Sequence, residues 1–108
     1  MFRISRLVYL LTMTNQTSNF NFAVSPEATA SLHDDGIVIL HIGQGRVFSS
    51  NKTGALIWQG IEQRRSLEGI VAELSGEFQI AGPTAREHTF SFLAALEQQA
   101  LIRREVAS

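Results

Sequence analysis

The stretch VFSSNKTGALIWQGIEQRRSLEGI, from Val47 to Ile70, decides the fold. Val47 and Phe48 suit a half-buried pleated surface. They lead to Asn51, whose side chain can accept from the N–H groups that open a helix. Thr53-Gly54-Ala55 follows, and Leu56, Ile57, Trp58 and Ile61 give that helix an apolar face. Gln63-Arg64-Arg65 then turns the corner, and Ser66 caps a second helix. Nothing in this stretch resembles an active site. It reads as a scaffold beside an open sheet edge, which points to binding rather than catalysis.

Outward from this block, the upstream sequence reads as hairpins. Ala28 to His33 is a first strand, and Asp34-Asp35-Gly36 is a turn of the kind that closes hairpins. Ile37 to Ile42 is the strongest strand, its apolar run expected at the centre of a sheet. Gly43-Gln44-Gly45 returns the chain into Arg46 to Ser50, the third strand of an antiparallel meander.

Downstream, the first helix is expected from Lys52 to about Gln63. Leu67, Ile70, Val71, Leu74 and Phe78 fall at helical spacing in the second. Gly82-Pro83 is expected to break the chain, with Thr84 and Glu87 in capping-box spacing at the start of the third helix. That helix should run to about Gln99, with Phe92, Leu93 and Leu96 inward and Leu101-Ile102 closing the core. The expected fold is α+β: a three-stranded β-meander followed by three helices, laid out as a winged helix-turn-helix.

A chain of 108 residues accommodates one domain and one core. Composition shifts near Phe22-Ala23, dividing a flexible extension (1–22) from a folded domain (23–105). MFRISRLVYLLTM, at the N-terminus, imitates a signal peptide, but its apolar run is short and no small-x-small cleavage site follows closely. A dispensable tail is the better reading, and Met13 is a possible start. From Ala23 onward seven basic residues face ten acidic ones, the reverse of the balance that drives phosphate binding. With no cysteine, thiolate catalysis, thiolate metal sites and disulfides are excluded. No stretch reaches the ~20 apolar residues that cross a bilayer.

His33, His41 and His88 lack metal-ligand spacing, and Asp34-Asp35 beside Gly36 reads as a solvated turn. None of the serines sits in a Gly-x-Ser-x-Gly elbow. Gly43-x-Gly45 leads into a strand instead of a phosphate-binding helix. No enzyme hypothesis survives, and neither cofactor nor metal is expected. Trp58 reads as core, while Phe48 lies on the expected edge strand. Arg64-Arg65 and Arg103-Arg104 read as basic pairs on solvated ends, the latter pair favoured by a helix C-terminus.

Several blocks together resemble the PqqD-like family of small domains that bind the leader segment of precursor peptides. They are Val24-Ser25-Pro26-Glu27, Asp35 to Leu40, Asn51 to Trp58, Ser66 to Val71, and Phe92-Leu93 through Leu101-Ile102. The resemblance spans about Ala23 to Arg104. It implies that a leader peptide pairs with the third strand and rests on the third helix, a β-strand addition. Carried onto this chain, the strand is Arg46, Val47, Phe48, Ser49 and Ser50. For the helix face we take Arg86, Phe90, Leu93, Ala94 and Glu97, at helical spacing. Phe90 and Leu93 would form a pocket rimmed by Arg86 and Glu97, so Phe90→Ala should weaken binding; Leu93 reads equally well as core.

The resemblance further implies a non-catalytic protein, and the absence of cysteine fits a reducing cytoplasm. Its partners would be a ribosomally made precursor peptide and a modifying enzyme, either a radical S-adenosylmethionine enzyme or a leader peptidase. No nucleic acid and no membrane are expected. Two alternatives stand beside it: a winged-helix DNA-binding regulator and a plain protein-interaction module. The third helix opens with Arg86, Glu87, His88, Thr89 and Phe90, a poor surface for reading a DNA groove.

Overall fold

The computed structural model of the chain describes residues 20–106. The elements follow as β1 (Phe20–Val24), β2 (Ala28–His33), β3 (Gly36–His41), β4 (Arg46–Ser50), α1 (Lys52–Glu62), α2 (Leu67–Phe78), α3 (Gly82–Gln98) and β5 (Ile102–Val106). β2, β3 and β4 form an antiparallel sheet in that order, with β3 central. The expected α+β architecture, a three-stranded meander followed by three helices, is present, and a winged helix-turn-helix is compatible with it. Residues 1–19 of the expected extension lie outside the described residues.

β1 and β5 have no counterpart in the sequence reading. They pair antiparallel as a separate ribbon, Phe20 opposite Val106 and Val24 opposite Ile102. β1 thus crosses the expected boundary between Phe22 and Ala23. β5 reads Ile-Arg-Arg-Glu-Val, which offers no apolar alternation, and its partner lies at the other end of the sequence. Arg103 and Arg104 therefore sit on a strand, not at a helix terminus. Arg104 Nε donates to Glu97 (3.0 Å), and its guanidinium stands 5.9 Å from the centre of the Phe22 ring.

The start of α3 also departs from expectation. The helix begins at Gly82 with Ala81 as its N-cap and Pro83 in the first turn, and no side chain caps it. Proline fits there because its fixed φ suits the helix and its missing N–H would have had no intrahelical partner. Gly82-Pro83 therefore opens α3, and Thr84 and Glu87 lie exposed within it rather than forming a capping box. Asn51 and Ser66 do cap α1 and α2, accepting from the N–H groups of Gly54 and Gly69.

The core lies between the inner face of β3 and the three helices. Ile37 and Ile39 meet Ile57, Trp58 and Ile61 of α1, Ile70 and Leu74 of α2, and Leu93 and Leu96 of α3, with Leu101 and Ile102 beyond. On the other sheet face Val38, Leu40 and Val47 stay exposed, the period-2 consequence of a strand covered on one side.

α1 and α3 end in the same way, without glycine. In α1, Arg65 N–H bonds Gly60 C=O and Arg64 N–H bonds Ile61 C=O; in α3, Leu101 N–H bonds Leu96 C=O and Ala100 N–H bonds Glu97 C=O. This paired 6→1 and 5→2 closure requires a left-handed residue after the C-cap. Here the residues are Arg64 (φ 61°) and Ala100 (φ 60°). Ala100→Gly should relieve the Cβ cost and raise stability by about 0.5–1 kcal/mol, read as a higher thermal midpoint.

Candidate functional site

One backbone bond sets the parity of the sheet: Ile42 N–H donates to Glu27 C=O at 2.8 Å. Positions 27 and 42 continue the register in which Ala28 faces His41. Bonding direction alternates along a strand, so Val38 and Leu40 bond towards β2, whereas Ile37, Ile39 and His41 bond towards β4. Their β4 partners are Ser50, Phe48 and Arg46. The N–H and C=O groups of Val47 and Ser49 consequently point away from the sheet. No strand covers this edge among the described residues.

Natural proteins blunt free edges with charge or proline. β4 has neither along its middle. Its one charge, Arg46, is drawn back over the preceding turn by bonds to Gln44 Oε1 at 3.1 and 2.8 Å. Val47 is 67% exposed. On β2, the other edge, the Ala28 N–H is already donated to Ser25 C=O (3.0 Å).

An apolar groove runs beside the end of β4. Phe48 points to the inner face and packs on Phe92 of α3, ring centres 5.9 Å apart and tilted by 57°. The groove, about 360 Å³, is bordered by Ser50, Gly54, Ile57, His88, Phe92 and Ala95. Gly54 makes it possible. A Cβ there would overlap the Ser50 side chain and stand 2.8 Å from the Phe92 ring. Gly54→Ala should therefore cost about 1–3 kcal/mol in chemical denaturation and displace Phe92 from Phe48. An extended segment added at β4 would bond Val47 and Ser49, and the residue opposite Phe48 would turn its side chain towards this groove.

The structure brings together the five α3 residues taken from the sequence, but not beside β4. Arg86, Phe90, Leu93, Ala94 and Glu97 line a second groove of about 420 Å³, closed on its other sides by Leu67 and Glu68 of α2, Phe22 of β1 and Arg104 of β5. No β4 residue borders it. At about 100° per residue, positions 86, 90 and 97 fall on one flank of the core stripe and 88, 92 and 95 on the other. Leu93 is 2% exposed and belongs to the core, contributing only an edge to the groove; Phe90 is 48% exposed.

Among the α3 residues that border the groove beside β4 are His88, Phe92 and Ala95, none of them among the five taken from the sequence. Thr89 is buried, its hydroxyl donating to Ala85 C=O at 2.8 Å. Leu93 and Leu96, expected inward from the sequence, are inward in the structure, and Thr89 joins their stripe; the difference lies in which flank of the stripe meets β4.

Rim electrostatics on the second groove come from ion pairs. Arg86 grips Glu68 through two bonds of 2.9 and 2.6 Å. The hydrogen bond, aided by the guanidinium charge and opposed by partial burial, holds the Glu68 carboxyl below its ordinary range. His33 and His41 sit at opposite ends of the β2–β3 hairpin. His41 is buried, with Nδ1 accepting from Gln44 N–H (3.2 Å). Among the described residues no three histidines or carboxylates gather as a metal site would require.

A β-meander joined to three helices, with the β4 edge open beside a groove, defines a small binding domain. The model of the family described as Coenzyme PQQ synthesis protein D (PqqD) matches residues 36–102, more than half of the chain, and the chain belongs to that family. Among solved structures, TbiB1 in complex with the TbiA(beta) leader peptide is 28% identical with a TM-score of 0.70, covering 75% of this chain and 94% of that one. Lasso peptide synthetase B1 complexed with the leader peptide is 23% identical with a TM-score of 0.69, covering 76% and 96%, and shares the fold. No curated protein matches the chain.

Proposed function

We propose that this chain is a non-catalytic recognition protein that binds the leader segment of a ribosomally synthesised precursor peptide by β-strand addition to β4. The observation that carries the reading is the pair of outward backbone positions, Val47 and Ser49, on a strand whose end, Ser50, borders a groove walled by Phe92. Family membership supports it, as does the leader peptide bound to TbiB1, a structural relative. Arg46 to Ser50 supply the edge. On α3 the contacting residues are His88, Phe92 and Ala95, because these border the groove beside β4. The complex presents the peptide to a separate modifying enzyme, a radical S-adenosylmethionine enzyme or a leader peptidase, in the cytoplasm and without a cofactor of its own.

DNA binding is the weaker reading. Arg86, the cation on the first turns of α3, is committed to Glu68, and the body carries net negative charge. Titration with the leader segment of a precursor encoded beside the gene, followed by amide chemical shifts, tests the proposal. Saturable shifts at Val47, Ser49, His88 and Phe92 are expected, weakening little with salt. Binding to duplex DNA that falls steeply with salt, and none to the peptide, would support the regulator instead.

Phe92→Ala should weaken leader binding roughly tenfold or more by removing the groove wall. Phe90→Ala, on the opposite flank, should leave it unchanged. Calorimetric titration of both variants checks the assignment, and the reverse ranking would return the peptide to the second groove.

A further inference from the structure

The groove between α2 and α3 has no part in the proposed leader site. It lies on the far flank of α3 from β4, and its walls are apolar: Phe22, Leu67, Phe90, Leu93 and Ala94. Glu68–Arg86 and Glu97–Arg104 ion pairs stand at its rim. Phe90 leaves nearly half its surface exposed there, although a phenylalanine gains most from burial. At about 420 Å³ the groove has room for two or three aliphatic side chains.

The chain itself carries a segment of matching chemistry. Leu7-Val8-Tyr9-Leu10-Leu11 is an apolar run ahead of the described domain, followed by eight residues, Thr12 to Asn19, before β1 begins at Phe20. Phe22, two residues into β1, is already in the groove wall. Eight residues reach at most about 26–29 Å, ample to lead the run back to a groove that starts beside its own attachment point. A tether that short also holds the run at a local concentration in the roughly millimolar range, so modest affinity suffices.

We propose that Leu7–Leu11 docks in the α2–α3 groove of its own chain, covering Phe90, Leu93 and Ala94. The run is an intramolecular occupant, and the groove is a second binding site independent of the β4 edge.

Methyl and aromatic NMR of the intact chain tests this. Expected are NOEs from the side chains of Leu7 to Leu11 to Phe90, Leu93 and Ala94. These should disappear in the double variant Leu10→Asp/Leu11→Asp, with the groove resonances shifting. Ala94→Trp, which fills the groove from an exposed position, should also abolish them without touching the N-terminal run. The proposal is overturned if the groove resonances are identical in the intact chain and the double variant. It is equally overturned if those resonances move with protein concentration, which would make a second copy the occupant. The leader titration reads resonances of β4 and the other flank of α3, so either hypothesis can fail alone.

Discussion

Val47→Pro is expected to leave the domain folded and to lower affinity for a leader peptide at least about tenfold, the effect of losing one backbone hydrogen bond together with the steric block of the ring. The basis is the parity of the sheet. Val47 N–H points to the open edge, so proline there removes a donor that the domain does not use. Ser49→Pro should behave alike. Phe48→Pro should not, because the Phe48 N–H faces Ile39 across the β3–β4 ladder, and its loss damages the sheet itself. Calorimetric titration beside circular dichroism separates the three. Unaltered binding by a folded Val47→Pro variant would remove β4 as the peptide's partner.

Trp58→Ala is the largest expected loss of stability, about 3–5 kcal/mol, because the ring is 1% exposed at the centre of the core. Against a total of roughly 5–15 kcal/mol for a domain, this leaves little folded margin. The indole also carries a cost in the native state, since Trp58 Nε1 is buried without a partner among the described residues. Trp58→Phe should therefore lose markedly less than the alanine variant, having no orphaned donor to bury. Urea denaturation of both orders them. Wild-type stability in Trp58→Ala would place the ring outside the core.

Much of this architecture was legible where local signals agree with tertiary needs. Ile37 and Ile39 announce a central strand, Asn51 and Ser66 announce helix starts, and the spacing of Ile70, Val71 and Leu74 gives the buried face of α2. The failures share a cause. β1 and β5 are strands because each finds the other across the domain, and neither Phe-Asn-Phe-Ala-Val nor Ile-Arg-Arg-Glu-Val declares it locally. Pro83 reads as a breaker, yet a first turn welcomes it. Ala100 and Arg64 end helices in a conformation usually signalled by glycine.

At the site, β4 was legible as an edge because the meander runs in chain order. The facing side of α3 was not. Leu93 and Leu96 fix the inward stripe, which Thr89 joins because its hydroxyl is satisfied by its own backbone, but nothing local says which flank of that stripe meets β4. The face taken from the sequence lies on the α2–α3 groove, and the other flank of the same core stripe lies beside β4.

The β1–β5 ribbon has a mechanical consequence. Phe20 and Val106 face each other at one end of it, so the flanking chain departs on both sides from the same corner. Tension drawn through both flanks would open the ribbon rung by rung from that corner, as a zipper opens, instead of shearing it. The β2–β3–β4 sheet bears load only after the last rung, Val24 with Ile102, has parted. A peptide held on β4 would thus be shielded from pulling at the tethers, and force spectroscopy should record a weak early extension before the domain yields.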